Sequence, residues 1–311
     1  MRRRVHIKTF ACVVVALLFL FGNAVSAEEP AAPVTDSQSS DSGKTIVRNS
    51  ILIGTAPVIF LFGVKAWDWN GDHSFYSRNE GWFSKDTDYA GADKAGHFFA
   101  HYLVQRSLYQ VFDWTENGGQ MKWVYSVGTT AAIGFLIELG DGFSSKYGFS
   151  FQDLVMDYTG ILCGVILDRF PVVDGFVGIS TTYYPTHAFI NRYNRHNAAK
   201  ASLEFVNDYS GWRTMINLKL AGFERVGVHL PLALRLVQFD IGYDSRGYSN
   251  YDRGKYARSK TRNMLFGVSL NSAQLLEESV DSGHRNTLYS VAHKALEYYH
   301  VPIEKKEVYD F

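Results

Sequence analysis

The sequence predicts a mainly α protein with a β-rich C-terminal region: a four-helix bundle, then a small antiparallel sheet and a terminal helix. Two observations carry this prediction. Four apolar stretches at helical spacing lie between Ile46 and Arg169, joined by short connections. After Phe189 the apolar period drops from helical spacing to two.

The helices are expected over Ile46 to Trp67, Lys94 to Phe112, Gly119 to Glu138 and Phe151 to Arg169, where Pro171 stops the last one. A loop rich in Gly, Asp and aromatics, Asp68 to Asp93, separates the first two, and Gly140 to Gly148 is a turn. Runs of sixteen uncharged residues between Arg48 and Lys65, and fifteen between Lys122 and Glu138, make the bundle more apolar than a surface helix needs. The bundle is therefore read as membrane-associated. Strands are expected over Arg213 to Leu220 and Val237 to Tyr243, with further candidates at Ser202 to Tyr209 and Met264 to Asn271. Ser245 to Arg262 reads as a long hairpin loop; Gln274 to Leu276 and Asn286 to Tyr299 read as helical.

The N-terminus has the layout of a secretory signal over residues 1–27: Arg2, Arg3 and Arg4, an apolar core from Phe10 to Phe21, and small residues ending at Ala27. Twelve apolar residues fall short of the roughly 20 that cross a bilayer core. Cys12 lies within that core, behind Thr9, Phe10 and Ala11, which is not a lipoprotein processing site. Residues 28–44, acidic and rich in Ser and Pro, read as a disordered spacer. The helical part then covers 45–190 and the β-rich part 200–311. Removal of the signal leaves 27 Lys+Arg against 31 Asp+Glu, a net charge near −4 that gives nucleic acid no general attraction. Membrane or lipid is the partner this composition suggests, with 15% aromatic residues suited to a membrane interface. Protein partners leave no signature. Cys163 alone remains after cleavage, so the fold has no internal disulfide to rely on.

Three helices carry ionisable groups where apolar ones are expected. Asp93, His97 and His101 recur every four residues and share one helix face. Glu138 and Asp141 close the third helix, and Asp153 and Asp157 share a face of the fourth. Helices joined by short connections are neighbours, so these faces converge. His97, Glu138, Asp141 and Asp153 are the candidate catalytic residues, with a buried carboxylate beside His97 suited to general-base work. His97, Asp93, His101 and Asp157 are the candidate ligands of a divalent metal ion able to activate water. Each also has a structural use. Asp93 is placed to cap the helix at Lys94, and Ser150 with Asp153 has the spacing of a capping box. Asp68-Trp-Asn70-Gly-Asp72 holds the first ligand positions of a calcium loop, but His73 stands where its Gly belongs.

Ser74 to Gly164 resembles the YfiM-like predicted periplasmic lipoproteins, a bacterial family built on a domain of unknown function. The residues that carry the resemblance are Ser74 to Phe83, Gly91-Ala-Asp-Lys-Ala-Gly-His97, Glu138, Asp141, Phe149 to Val155, Gly160 and Gly164. Their order also looks distantly like VanZ-type membrane proteins of glycopeptide resistance. The resemblance implies an envelope location and a helical, membrane-associated domain, and supplies no reaction.

The chain is thus expected to be an uncharacterised, membrane-associated envelope protein whose polar cluster is structural. One rival is a metal-assisted hydrolase or transferase acting on a lipid-linked or cell-wall substrate. The other is an outer-membrane β-structure.

Overall fold

Apolar runs broken by Gly and Pro set the helices, and alternation sets the strands. The computed structural model describes residues 37–69, 74–193, 204–249, 251–252, 259–299 and 307–310. The signal, residues 28–36 of the spacer and the centre of the calcium-loop motif lie outside the described residues. Four long helices come first: α1 (Ser37–Ala66), α2 (Ala92–Thr115), α3 (Met121–Asp141) and α4 (Phe151–Arg169). Ser37 to Lys44, read as spacer, instead begins α1: no Pro interrupts it, and the helix of the apolar run extends back through Ser42-Gly43.

Helices α2 and α4 make the closest pairing. Gly160 permits it: a Cβ there would stand 2.1 Å from the Phe98 carbonyl oxygen and 3.0 Å from the Tyr102 amide nitrogen. One helical turn on, a Cβ at Gly164 would meet the side-chain oxygen of Gln105 at 2.2 Å. At the start of α2 the backbone is left-handed at Gly91, where a Cβ would run into the Phe83 ring.

A short helix, α5 (Pro171–Phe176), leads into a five-stranded antiparallel sheet with its strands in sequence order. The strands are β1 (Val177–Tyr183), β2 (Trp212–Lys219), β3 (Val237–Arg246), β4 (Thr261–Leu270) and β5 (Glu307–Asp310). β1 precedes the division expected near residue 190, so the sheet takes a strand from the stretch read as helical; its Val, Ile and Thr residues favour extended backbone. Among the described residues of the strand expected over Ser202 to Tyr209 no strand forms: Glu204–Asn207 and Tyr209–Gly211 are 3-10 turns. Asp208 between them is spent on local bonds, accepting from the Thr186 amide at 2.8 Å and from the hydroxyls of Thr186 at 2.9 Å and Ser249 at 3.0 Å. The described strands do not close into a barrel, since β1 and β5 stand at the two ends of the sheet. Short helices α6 (His187–Tyr193) and α7 (Leu232–Arg235) lie between strands, and α8 (Ser272–Ser279) and α9 (Thr287–Tyr298) follow β4.

The sheet packs on α2. Tyr102, Leu167, Ile179 and Tyr298 form the apolar core where α2, α4, β1 and α9 meet, with Cys163 half-buried against it. The Tyr243 hydroxyl donates to the Ala90 carbonyl, and the Ser245 hydroxyl donates to Tyr89 at 3.1 Å, tying β3 to the turn before α2.

Gly160→Ala is expected to lower stability by about 1–3 kcal/mol, the usual cost of overpacking against rigid backbone. Gly164→Ala should cost less, because its obstacle is the end of a side chain. Thermal melts followed by circular dichroism compare the two, and equal losses would argue against the close α2–α4 approach.

Candidate functional site

The ionisable residues of α2, α3 and α4 do converge, and they converge as two linked clusters. The first surrounds Lys94. Its ammonium donates to Glu80 at 2.7 Å and Asp93 at 2.7 Å and pairs with Asp153 at 2.8 Å, with all four side chains buried. Asp93 is therefore not a partner of the histidines, although it shares their helix face. The adjacent cation claims it. Nor does it cap α2, whose N-cap is Gly91.

The second cluster is built on Asp157, which is fully buried. Its Oδ1 lies 2.9 Å from His97 Nδ1 and 2.6 Å from His101 Nδ1, so one carboxylate oxygen holds both imidazoles. Glu138 Oε1 stands 3.9 Å from His97 Nδ1, and Glu138 Oε2 accepts the Ser150 amide at 2.9 Å. Ser150 caps α4 by accepting the Asp153 amide at 3.2 Å, as its spacing predicts. The reciprocal half of the capping box is taken by Glu138, which leaves Asp153 free for Lys94. Asp141 stands apart, accepting the Trp69 indole N–H at 2.6 Å.

Among the described residues, three groups of side chains have ligand-capable atoms within 4.8 Å of one another: His97, His101 and Asp157; His97, Glu138 and Asp153; and Glu80, Asp93 and Asp153. His97 is the most exposed of these, with 24% of its side chain exposed, against 4% for His101 and 2% for Glu138. Chemically, the set offers a general base at a solvent edge, or nitrogen and oxygen donors for a divalent ion. Sequence reasoning passed over Glu80, Lys94 and Trp69. Only Lys94, a cation among acids at the head of an apolar helix, carried a usable signal.

The stretch Asn79 to Arg169 encloses both clusters whole. Residues 79–169 match the family model described as predicted periplasmic lipoprotein (DUF2279). The match confirms the resemblance and accords with an exported, periplasmic, envelope-associated protein; it lends no support to the likeness to VanZ-type proteins. It spans under a third of the chain and leaves out α1 and the sheet. No curated protein and no solved structure shows a match to the chain.

Three carboxylates on one ammonium leave excess negative charge. Glu80 relieves it: burial, opposed by Lys94 and reinforced by Asp153 and Asp93, pushes its pKa from 4.5 up to about 8. Between those values the folded chain keeps a proton that the unfolded chain has released. Stability from this group is therefore full below about pH 4.5 and is lost as pH rises toward 8. Glu80→Gln, which mimics the protonated acid, should flatten that fall, whereas Lys94→Met should destabilise at every pH. Melting temperatures at pH 5 and pH 8 check this, and a steeper pH dependence in the glutamine variant would refute it.

Proposed function

We propose that the protein is a membrane-embedded envelope protein, with apolar faces turned to lipid and a polar interior that positions the His97–Asp157 centre. One observation carries this reading: the polarity is inverted. Among the described residues, the largest fully buried side chains include Lys94, Gln105, Gln238, Glu138, Asn217, Asp157 and Asp208, and only Phe112, Met215 and the Tyr102 ring represent the aromatic and apolar types. The exterior is the reverse. In α1, Ile53 is 75% exposed and Phe60 60% exposed; in α4, Phe151 and Leu162 face outward; in α3, Val124 does.

The sheet follows the same rule. Ile216, Ile241 and Phe266 form one cross-strand rung, and Leu218, Phe239 and Val268 form the next, all six exposed. The opposite face is a hydrogen-bonded polar layer, in which Asp240 accepts from Asn217 at 2.7 Å and from Gln238 at 3.0 Å. A contiguous apolar patch of this size is unusual on a water-soluble surface. Strands of closed membrane barrels alternate in the same sense, apolar outward and polar inward; in this open sheet the alternation marks the apolar face as the one turned to the membrane. Among the described residues, two helices, over Asp41–Lys65 and Met121–Asp141, are long and apolar enough to cross a membrane.

A second reading, chemistry on a lipid-linked or cell-wall substrate, is favoured by the position of His97. Its partly exposed ring backs onto carboxylates at 2.9 and 3.9 Å, the arrangement of a general base open to one side.

Alkaline carbonate extraction of envelopes tests the embedding. The full chain is expected to stay in the membrane pellet and to leave only with detergent. Its release by osmotic shock or by carbonate would overturn the reading.

A further inference from the structure

We infer that His101 and Asp157, with His97 adjoining them, form a binding site for one divalent transition-metal ion, of the class typified by Zn2+. The inference goes beyond membrane embedding and would supply the metal for the second reading above. It stands on binding alone.

Three groups of donors lie close enough to hold an ion, and two of them are already spent. Glu80, Asp93 and Asp153 surround the Lys94 ammonium, which occupies the place a cation would take. In the second group, Asp153 is committed to Lys94, and Glu138 Oε2 accepts the Ser150 amide. The histidine group differs. Asp157 Oδ1 receives the Nδ1 atoms of both rings, at 2.9 and 2.6 Å, and His101 Nδ1 also lies 3.1 Å from the His97 carbonyl oxygen. Acceptors on Nδ1 fix the proton there and leave the lone pair of the His101 ring on Nε2. Among the described residues that Nε2 has no hydrogen-bond partner, and neither does Asp157 Oδ2. His101 is 3% exposed and Asp157 is fully buried, so water does not satisfy them from bulk.

Both unpartnered atoms lie over Gly134 of α3. A Cβ there would come within 2.7 Å of Asp157 Oδ2 and 3.0 Å of His101 Nε2. Both atoms are acceptors, so what satisfies them together must be a proton donor or a cation. Two buried acceptors left unpaired are costly, because nothing replaces the hydrogen bonds they gave up to water. A carboxylate holding the far nitrogen of an imidazole whose other nitrogen is free is also how metal-binding histidines are oriented. Imidazole donors favour zinc-like ions over Mg2+ or Ca2+, which prefer all-oxygen sets.

The test uses the full chain purified in detergent, stripped with chelator and reloaded with Zn2+. Metal content after dialysis is expected near one zinc per chain, with a melting temperature that rises with Zn2+ as binding linkage requires. Gly134→Ala, which drives a methyl group against both donors, and His101→Gln should each lower retained zinc at least tenfold and abolish the Zn2+-dependent rise. Glu80→Gln, in the lysine cluster, should retain zinc. Co2+ loading of the unaltered protein gives a reading that needs no folded variant, because bound Co2+ shows visible bands characteristic of mixed nitrogen and oxygen ligands. Zinc retained equally by the unaltered chain and both variants, or a chain with neither zinc nor Co2+ bands, would overturn the inference. Neither result would alter the carbonate-extraction outcome, so the two readings fail separately.

Discussion

Lys94 is 1% exposed, yet its ammonium touches carboxylates from three parts of the chain: Glu80 from the loop before α2, Asp93 from α2 itself and Asp153 from the first turn of α4. A buried ammonium stripped of its partners costs several kcal/mol, so the partners must arrive together or the helices cannot close. The rest of the centre hangs on this closure. With Asp153 drawn to Lys94, Glu138 takes the Ser150 amide, which draws the end of α3 to the start of α4. Asp157, one turn further along α4, then meets the two histidines one and two turns beyond Lys94 on α2. Charge neutralisation at one lysine thus sets the register of three helices.

Packing makes the same choice by other means. Gly160 and Gly164 let α4 lie against α2 at backbone distance, and Gly134 lets α3 lie against the imidazole of His101 and the carboxylate of Asp157. A lone large side chain at any of these positions would prise the donors apart. The polar interior is therefore reached through small residues on its walls, while the bulky apolar residues of the same helices face outward.

Much of this was legible in the sequence. The bounds of α4 follow from Ser150 and Pro171, and Ser150 caps as its spacing says. The strands Trp212–Lys219, Val237–Arg246 and Thr261–Leu270 follow from alternation, as the four helices follow from apolar spacing. That His97 meets Asp157 and Glu138 follows from short connections, which make sequential helices neighbours. Other features were not legible, for identifiable reasons. Face-sharing grouped Asp93 with the histidines, because helical periodicity records direction and takes no account of a competing cation one residue away. β1 is short and follows a helix directly, and Ser202 to Tyr209 has a strand-like texture that the local bonds of Asp208 override. Alternation gave the strands of the sheet, but not which face meets the rest of the protein. Here the polar face does so, the reverse of the usual arrangement in water.

The contacts of Lys94 also bear on the order in which the chain acquires structure. Asp93 is adjacent and Glu80 is fourteen residues back, so two partners are present as soon as α2 emerges. Asp153 lies on the far side of an entire helical hairpin and comes much later. Until then the young chain carries a half-neutralised lysine and exposed imidazoles beside two segments that prefer oil to water, a combination that neither solvent accommodates well. Slow closure of that loop would leave a window in which the chain depends on a holding factor. A chain cut short before residue 153 should be a natural target for quality-control proteolysis, however well its first helices form.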